Sequence, residues 1–135
     1  MKVLFICQFN SVRSPMAEGL LRKQMGSKVY VQSCGLTPEA PNELMVTIMK
    51  EVGIDMSGHQ AKSLADMGTD TFDRIIAFTA GSKAGAEAVL GAINQEIELW
   101  AVPNPGEGSL DMRALLNNYR AIRANIQGRL MREFT

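Results

Sequence analysis

Val3-Leu4-Phe5-Ile6-Cys7-Gln8-Phe9-Asn10-Ser11-Val12-Arg13-Ser14-Pro15-Met16-Ala17-Glu18 is the stretch on which the fold of this chain turns. Val3 to Ile6 is a run of branched and aromatic side chains without polar alternation, the pattern of a strand buried on both faces of a parallel sheet. Ser14 and Pro15 predict a helix start, Ser14 as N-cap and Pro15 in the first turn, and Met16, Ala17, Leu20, Leu21 and Met25 follow at helical spacing. Strand, short loop and helix N-terminus together make an anion site, because unpaired backbone N–H groups and the positive end of the helix dipole converge there. A tetrahedral oxyanion suits it.

Two residues add chemistry to that site. Cys7 ends the strand and Arg13 precedes Ser14, and both the helix dipole and the guanidinium favour thiolate over thiol. Ser14 is placed to donate a hydrogen bond to the sulfur, and the planar fork of Arg13 matches two oxygens of a phosphate or arsenate. The loop holds no glycine, so Asn10, the residue there most tolerant of a left-handed backbone, is expected to turn successive N–H groups inward. A cysteine at the end of a buried strand is ordinarily a small core residue. Arg13, Ser14 and the helix start reverse that reading for Cys7 but not for Cys34, which is expected to pack, with redox pairing to Cys7 as the alternative.

Outward from this stretch, the chain alternates strands and helices. Lys28 to Ser33 reads as a second strand, Asn42 to Val52 as a helix closed by Gly53, and Ser63 to Met67 as a short helical turn. Arg74 to Phe78 is a third strand, Ser82 to Leu90 an Ala-rich helix, and Glu96 to Val102 a fourth strand around Trp100. The last helix takes Ser109 as its cap and sets Met112, Leu115, Leu116, Tyr119, Ile122, Ile126 and Leu130 on one face. Four strands separated by helices imply an α/β fold: three layers, a parallel sheet covered on both sides, with the ligand site at the strands' C-terminal edge, where Cys7 lies.

With 135 residues, 46% of them hydrophobic, residues 1–135 are expected to form a single domain with a full core. Fourteen Lys and Arg balance fourteen Asp and Glu, so the net charge points to neither nucleic acid nor an anionic membrane surface. No stretch approaches membrane-spanning length and no secretory leader pattern opens the chain, which leads to the expectation of a cytoplasmic protein. A reactive thiol at a strand end argues for a reducing compartment rather than a disulfide. His59 is the only histidine and has no second histidine or carboxylate cluster in sequence, so a metal site is not expected.

Cys7, five intervening residues, Arg13 and Ser14, extended by Asn10 and Met16-Ala17-Glu18, resemble the signature of the low-molecular-weight protein tyrosine phosphatase family, which also contains the thioredoxin-type arsenate reductases. Later segments fit the same family: Ser33 to Pro38, Gly53 to His59, and Val102-Pro103-Asn104-Pro105. The resemblance implies a flavodoxin-like sheet of order 2-1-3-4 and a phosphate-binding loop formed by Gln8, Phe9, Asn10, Ser11, Val12, Arg13 and Ser14. It also implies that Cys7 is the nucleophile, and that His59, at the family's Ser-x-His position, orients Asn10. No cofactor is implied.

Asn104 departs from the family, whose members carry an Asp-Pro here that protonates the leaving group and then activates water. An amide does neither, and a positioned acid or base contributes about 10²–10⁴-fold. Glu107 and Asp111 are the next acidic residues, and the spacing supports neither as a replacement. The tyrosines that follow the Asp-Pro in phosphotyrosine-selective members are replaced by Gly106-Glu107, and the loop after the second strand reads Thr37-Pro38-Glu39-Ala40 without an aromatic residue. The further cysteines of relay-type arsenate reductases are replaced by Thr79-Ala80-Gly81-Ser82.

Three functions remain on this reading. The first is a slow phosphomonoester hydrolase acting through a thiophosphate on Cys7, with a phosphorylated small molecule or phosphoprotein as substrate. The second is an arsenate reductase that borrows an external thiol or redoxin. The third is a phosphate- or phosphoprotein-binding module with impaired catalysis.

Overall fold

A computed structural model of the chain describes residues 1–67, 71–90, 95–106 and 111–135. Its elements in chain order are β1 (Lys2–Cys7), α1 (Arg13–Met25), β2 (Tyr30–Gly35), α2 (Glu43–Lys50), β3 (Arg74–Ala77), α3 (Ala80–Leu90), β4 (Ile97–Leu99) and α4 (Met112–Glu133). Short 3₁₀ turns occupy Gly26–Lys28 and Leu64–Met67. The strands form one sheet of order β2-β1-β3-β4, parallel throughout. Among the described residues no helix is long and apolar enough to cross a membrane.

β1 is central, and its alternation divides the core into two layers. Val3, Phe5 and Cys7 face α1, α2 and α4, where Met16, Leu21, Met45, Ile48, Ile126 and Leu130 pack over them. Leu4 and Ile6 face the opposite side, with Cys34, Ile75, Ala77 and Ile97 of the neighbouring strands and Ala86 of α3. Phe5, Phe78 and Trp100 pack ring against ring beneath α4, with centroids 5.8 to 6.4 Å apart, an arrangement that adds to simple burial. The side-chain amide of Gln24 donates to the carbonyls of Leu130 and Phe134 at 3.2 and 2.6 Å, tying α1 to the end of α4.

Local chemistry explains where the elements begin and end. Asn42 caps α2, its Oδ1 accepting from the N–H groups of Leu44 and Met45. Gly53 stops it at φ 78°, donating to Lys50 while Ile54 donates back to Met49, the paired bonds that finish a helix with a left-handed glycine. Thr79 and Ser82 cap α3 reciprocally, each backbone N–H donating to the other's hydroxyl.

Several sequence expectations shift. β2 starts at Tyr30 rather than Lys28, because Gly26 ends α1 at φ 57° and Gly26–Lys28 forms a 3₁₀ turn. β4 stops at Leu99, and Trp100 follows it with its side chain 1% exposed. Ser14 does not cap α1: the helix already begins at Arg13, Val12 stands at the cap without a side-chain bond, and Ser14 is committed elsewhere. Asp111 caps α4, accepting from the Ala114 N–H at 2.8 Å, whereas Ser109 lies outside the described residues, as does Glu107. Met112 leaves the apolar face, being 59% exposed, while Tyr119, Ile122, Ile126 and Leu130 are buried.

Candidate active site

The loop from Cys7 to Ser14 links the end of β1 to α1, and its shape follows from where its carbonyls go. The N–H groups of Leu36, Thr37, Glu39 and Asn42 donate to the carbonyls of Cys7, Gln8, Phe9 and Ser11, at 2.8 to 3.3 Å. The segment after β2 thus holds the loop's acceptors on its outer side. Among the described residues, no backbone N–H from Gln8 to Ser14 donates to a protein acceptor outside the strand and helix ladders. Unpaired donors in such a turn form a concavity for an anion. Asn10 sits at φ 52°, the one described non-glycine residue with positive φ.

Gly35, the last residue of β2, makes this close approach possible. A Cβ there would lie 2.7 Å from Asn10 N and 2.8 Å from Phe9 C, both backbone atoms that cannot swing aside. Gly35→Ala is therefore expected to cost about 1–3 kcal/mol, the usual range for overpacking. Denaturant unfolding measures it, and an unchanged midpoint would mean that the loop relaxes freely.

Beneath the loop lies a buried polar network centred on Asn10, which is 0% exposed. Its Nδ2 donates to Ser14 Oγ and Ser33 Oγ, both at 2.9 Å. Its Oδ1 accepts from the Lys62 N–H at 3.0 Å and lies 3.2 Å from His59 Nε2. His59 turns Nδ1 toward the buried Glu18, 3.5 Å from Oε2. Ser14 Oγ, receiving the Asn10 amide, has a single proton to give, and Cys7 Sγ at 2.8 Å is nearer than the Cys34 carbonyl at 3.4 Å. A side-chain chain thus runs from Glu18 through His59, Asn10 and Ser14 to the Cys7 sulfur, with both side-chain amide hydrogens of Asn10 used.

Above the loop is a pocket of about 280 Å³. Cys7, Phe9, Ser11, Val12 and Arg13 line it from the loop, and Asn104, Pro105 and Gly106 from the segment after β4. Arg13 Nη1 donates to the Val102 carbonyl at 3.0 Å, which ties the guanidinium to the segment that carries Asn104. Asn104 Oδ1 accepts from the Gly106 N–H at 2.9 Å, closing a local turn. Asn10 and Ser14 lie under the loop rather than in the pocket wall, and the Gln8 side chain turns away to Thr37 Oγ1 at 3.1 Å.

Cys34 does not join this site. It pairs in register with Ile6, so its side chain lies on the sheet face opposite Cys7, and both cysteines are free. Burial, followed by the influence of Cys7, pushes its thiol up to about 12. Among the described residues no three His, Cys, Asp or Glu side chains gather as a metal site.

Gly35, Ser33, Glu39 and Tyr119 also belong to the site's surroundings; Ser33 and Gly35 fall in a segment that fits the family and Tyr119 on the apolar face of the last helix, but no pattern gave any of the four a part in the site. Ser33 and Gly35 alternate along an ordinary strand, and Glu39 lies in a loop whose path depends on bonds to residues 8–11.

A glutaredoxin arsenate reductase of Synechocystis sp. is 32% identical over 130 residues, covering 96% of this chain and 92% of its own. Arsenate reductase 2 of Staphylococcus haemolyticus is 33% identical over 103 residues, covering 76% of this chain and 77% of its own. Among solved structures, an arsenate reductase in its oxidised state superposes with a TM-score of 0.80 at 28% identity, covering 97% of this chain and 94% of its own. A tyrosine phosphatase of Erwinia amylovora shares the fold, with a TM-score of 0.78 at 20% identity over 94% of this chain and 86% of its own. The low molecular weight phosphotyrosine protein phosphatase description matches residues 2–134, nearly the whole length, and the chain belongs to that family.

Proposed function

We propose that the protein is a cysteine-dependent phosphomonoester hydrolase working through a thiophosphate on Cys7. Cys7 lines the pocket together with Arg13 and has Ser14 Oγ 2.8 Å from its Sγ beneath the loop, and this placement carries the proposal. Cys7 attacks phosphorus in line while the bond to the leaving-group oxygen breaks and that oxygen departs with the electron pair. Arg13 and the N–H groups of residues 8–14 hold the equatorial oxygens, over which the transition-state charge is spread. Water then attacks phosphorus, the S–P bond breaks, and its electron pair returns to Cys7. The Ser14 hydroxyl stabilises the departing sulfur. Asn10, held by His59 and Ser33, keeps both the loop and Ser14 in place.

Asn104 stands where the family's acid stands, so the leaving group departs without a proton from that position. Slow turnover favouring good leaving groups follows. The substrate is a phosphorylated small molecule or phosphoprotein. Two free cysteines fit a reducing compartment, in line with a cytoplasmic protein. Acid-quenched turnover of an activated aryl phosphate tests the intermediate. A phosphoryl group is expected on the Cys7 peptide, and steady phosphate release with none trapped there would overturn the mechanism.

A second reading, arsenate reduction, is favoured by the Synechocystis relative, whose likeness spans 96% of this chain. Cys7 would attack arsenic and displace water. An external thiol would then attack Cys7 Sγ, forming a mixed disulfide while the S–As pair passes to arsenic, which leaves as arsenite. A second thiol would release the disulfide and restore Cys7. Cys34, on the opposite sheet face, cannot take the external thiol's part. Thiol-dependent arsenite release separates this reaction from hydrolysis.

A further inference from the structure

The loop N–H groups and Arg13 account for the phosphoryl end of a substrate, but the rim of the pocket carries a group that they leave unexplained. Glu39 lines the pocket, and among the described lining residues it is the one carboxylate, as Arg13 is the one cation. Its backbone N–H donates to the Phe9 carbonyl at 2.9 Å, and Thr37 and Asn42 on either side donate to Gln8 and Ser11. The rim segment is thereby fixed to the phosphate loop itself. Glu39 is exposed and has no ion-pair partner among the described residues, as is also true of Glu43, Glu87 and Glu96, and its place on the pocket wall is what sets it apart from them.

An unpaired carboxylate beside an anion site is counterproductive for a substrate whose remainder is neutral or anionic, since it repels the phosphoryl group. A positive charge on the leaving group reverses the sign. We propose that Glu39 makes the pocket selective for phosphorylated substrates whose leaving group carries a cation, an inference that rests on the hydrolase reading above and names its substrate class. The anionic head enters the cradle over Cys7, and the cationic tail meets Glu39. Phe9, 42% exposed on the same rim, offers its ring to the apolar stem between the two charges. Opposite charges at the two ends fix the substrate's direction of entry.

The test compares para-(aminomethyl)phenyl phosphate with para-methylphenyl phosphate in turnover, and the matching phosphonates in calorimetric binding. At low salt the aminomethyl member is expected to be favoured by about tenfold in both kcat/KM and Kd, a preference that shrinks as salt rises. Glu39→Gln is expected to bring the phosphonate Kd ratio to about one, and Glu39→Lys to invert it, as charge pairing across a partly screened rim requires, while kcat/KM keeps the part of the preference that comes from the less basic aminomethyl phenol. A wild-type Kd ratio near one, or a Kd preference that survives Glu39→Gln, overturns the proposal. The phosphonates are read by binding alone, so the preference is decided even if neither phosphate is hydrolysed and the hydrolase reading fails.

Discussion

Cys7→Ser is expected to lower kcat on an activated aryl phosphate by on the order of 10⁵-fold, the scale on which loss of a nucleophile is felt in covalent catalysis. A serine hydroxyl is a far weaker nucleophile than a thiolate at neutral pH, and nothing beside position 7 compensates. Ser14 Oγ, its nearest side-chain partner at 2.8 Å, is a donor to the sulfur and takes the Asn10 amide in return, so it is not arranged as a base. The same substitution is expected to leave inorganic phosphate bound within about tenfold of wild type, because the proposed cradle would hold phosphate through backbone donors and Arg13. Those donors are held by bonds from residues 36–42 to the carbonyls of residues 7–11, none of which involves the cysteine side chain. Kinetics and calorimetry on one preparation check both halves. Retained activity would show that Cys7 is not the nucleophile, and lost phosphate binding would show that the sulfur shapes the cradle.

β1 was legible because Val3 to Ile6 is apolar on both faces, and both faces are indeed covered. The left-handed turn at Asn10 was legible by elimination, since the loop offers no glycine. Ser14 was misread as a cap because cap preference is a local statistic, whereas its hydroxyl is claimed by Asn10 and Cys7, four and seven residues away. β2 was placed two residues early because Lys28 and Val29 extend a strand-like pattern that Gly26, at φ 57°, interrupts with a 3₁₀ turn.

The contribution of β2 and the segment beyond it was hidden for a different reason. Gly35 matters through two backbone atoms of residues 9 and 10, and Glu39 through a carbonyl on Phe9, contacts spanning about thirty residues that no periodicity encodes. The parallel register Cys7↔Gly35 brings them together. The opposite-face position of Cys34 follows from the same register: Ile6 pairs with Cys34, so the two thiols are one pleat apart in phase.

Asn104→Asp is expected to raise kcat by about 10²-fold on a phosphate ester with a poor leaving group, within the range that a positioned general acid provides. Asn104 lines the pocket that holds Cys7, and the segment around it is anchored by Arg13 through the Val102 carbonyl. Its Oδ1 is occupied by the Gly106 N–H at 2.9 Å. An aspartate keeps that turn with one oxygen and gains a second that can carry a proton toward the leaving group, so the substitution adds chemistry without asking the loop to move. The gain should be small on an activated aryl phosphate, whose leaving group needs little help, and large on an alkyl phosphate. It should also bring a descending limb to the pH profile as the new carboxyl loses its proton. Comparing the dependence of rate on leaving-group basicity in the two proteins checks this: a steep dependence in wild type should flatten in Asn104→Asp. Equal slopes would mean that position 104 does not face the leaving group, or that another residue already protonates it, and slow hydrolysis would then need a different cause.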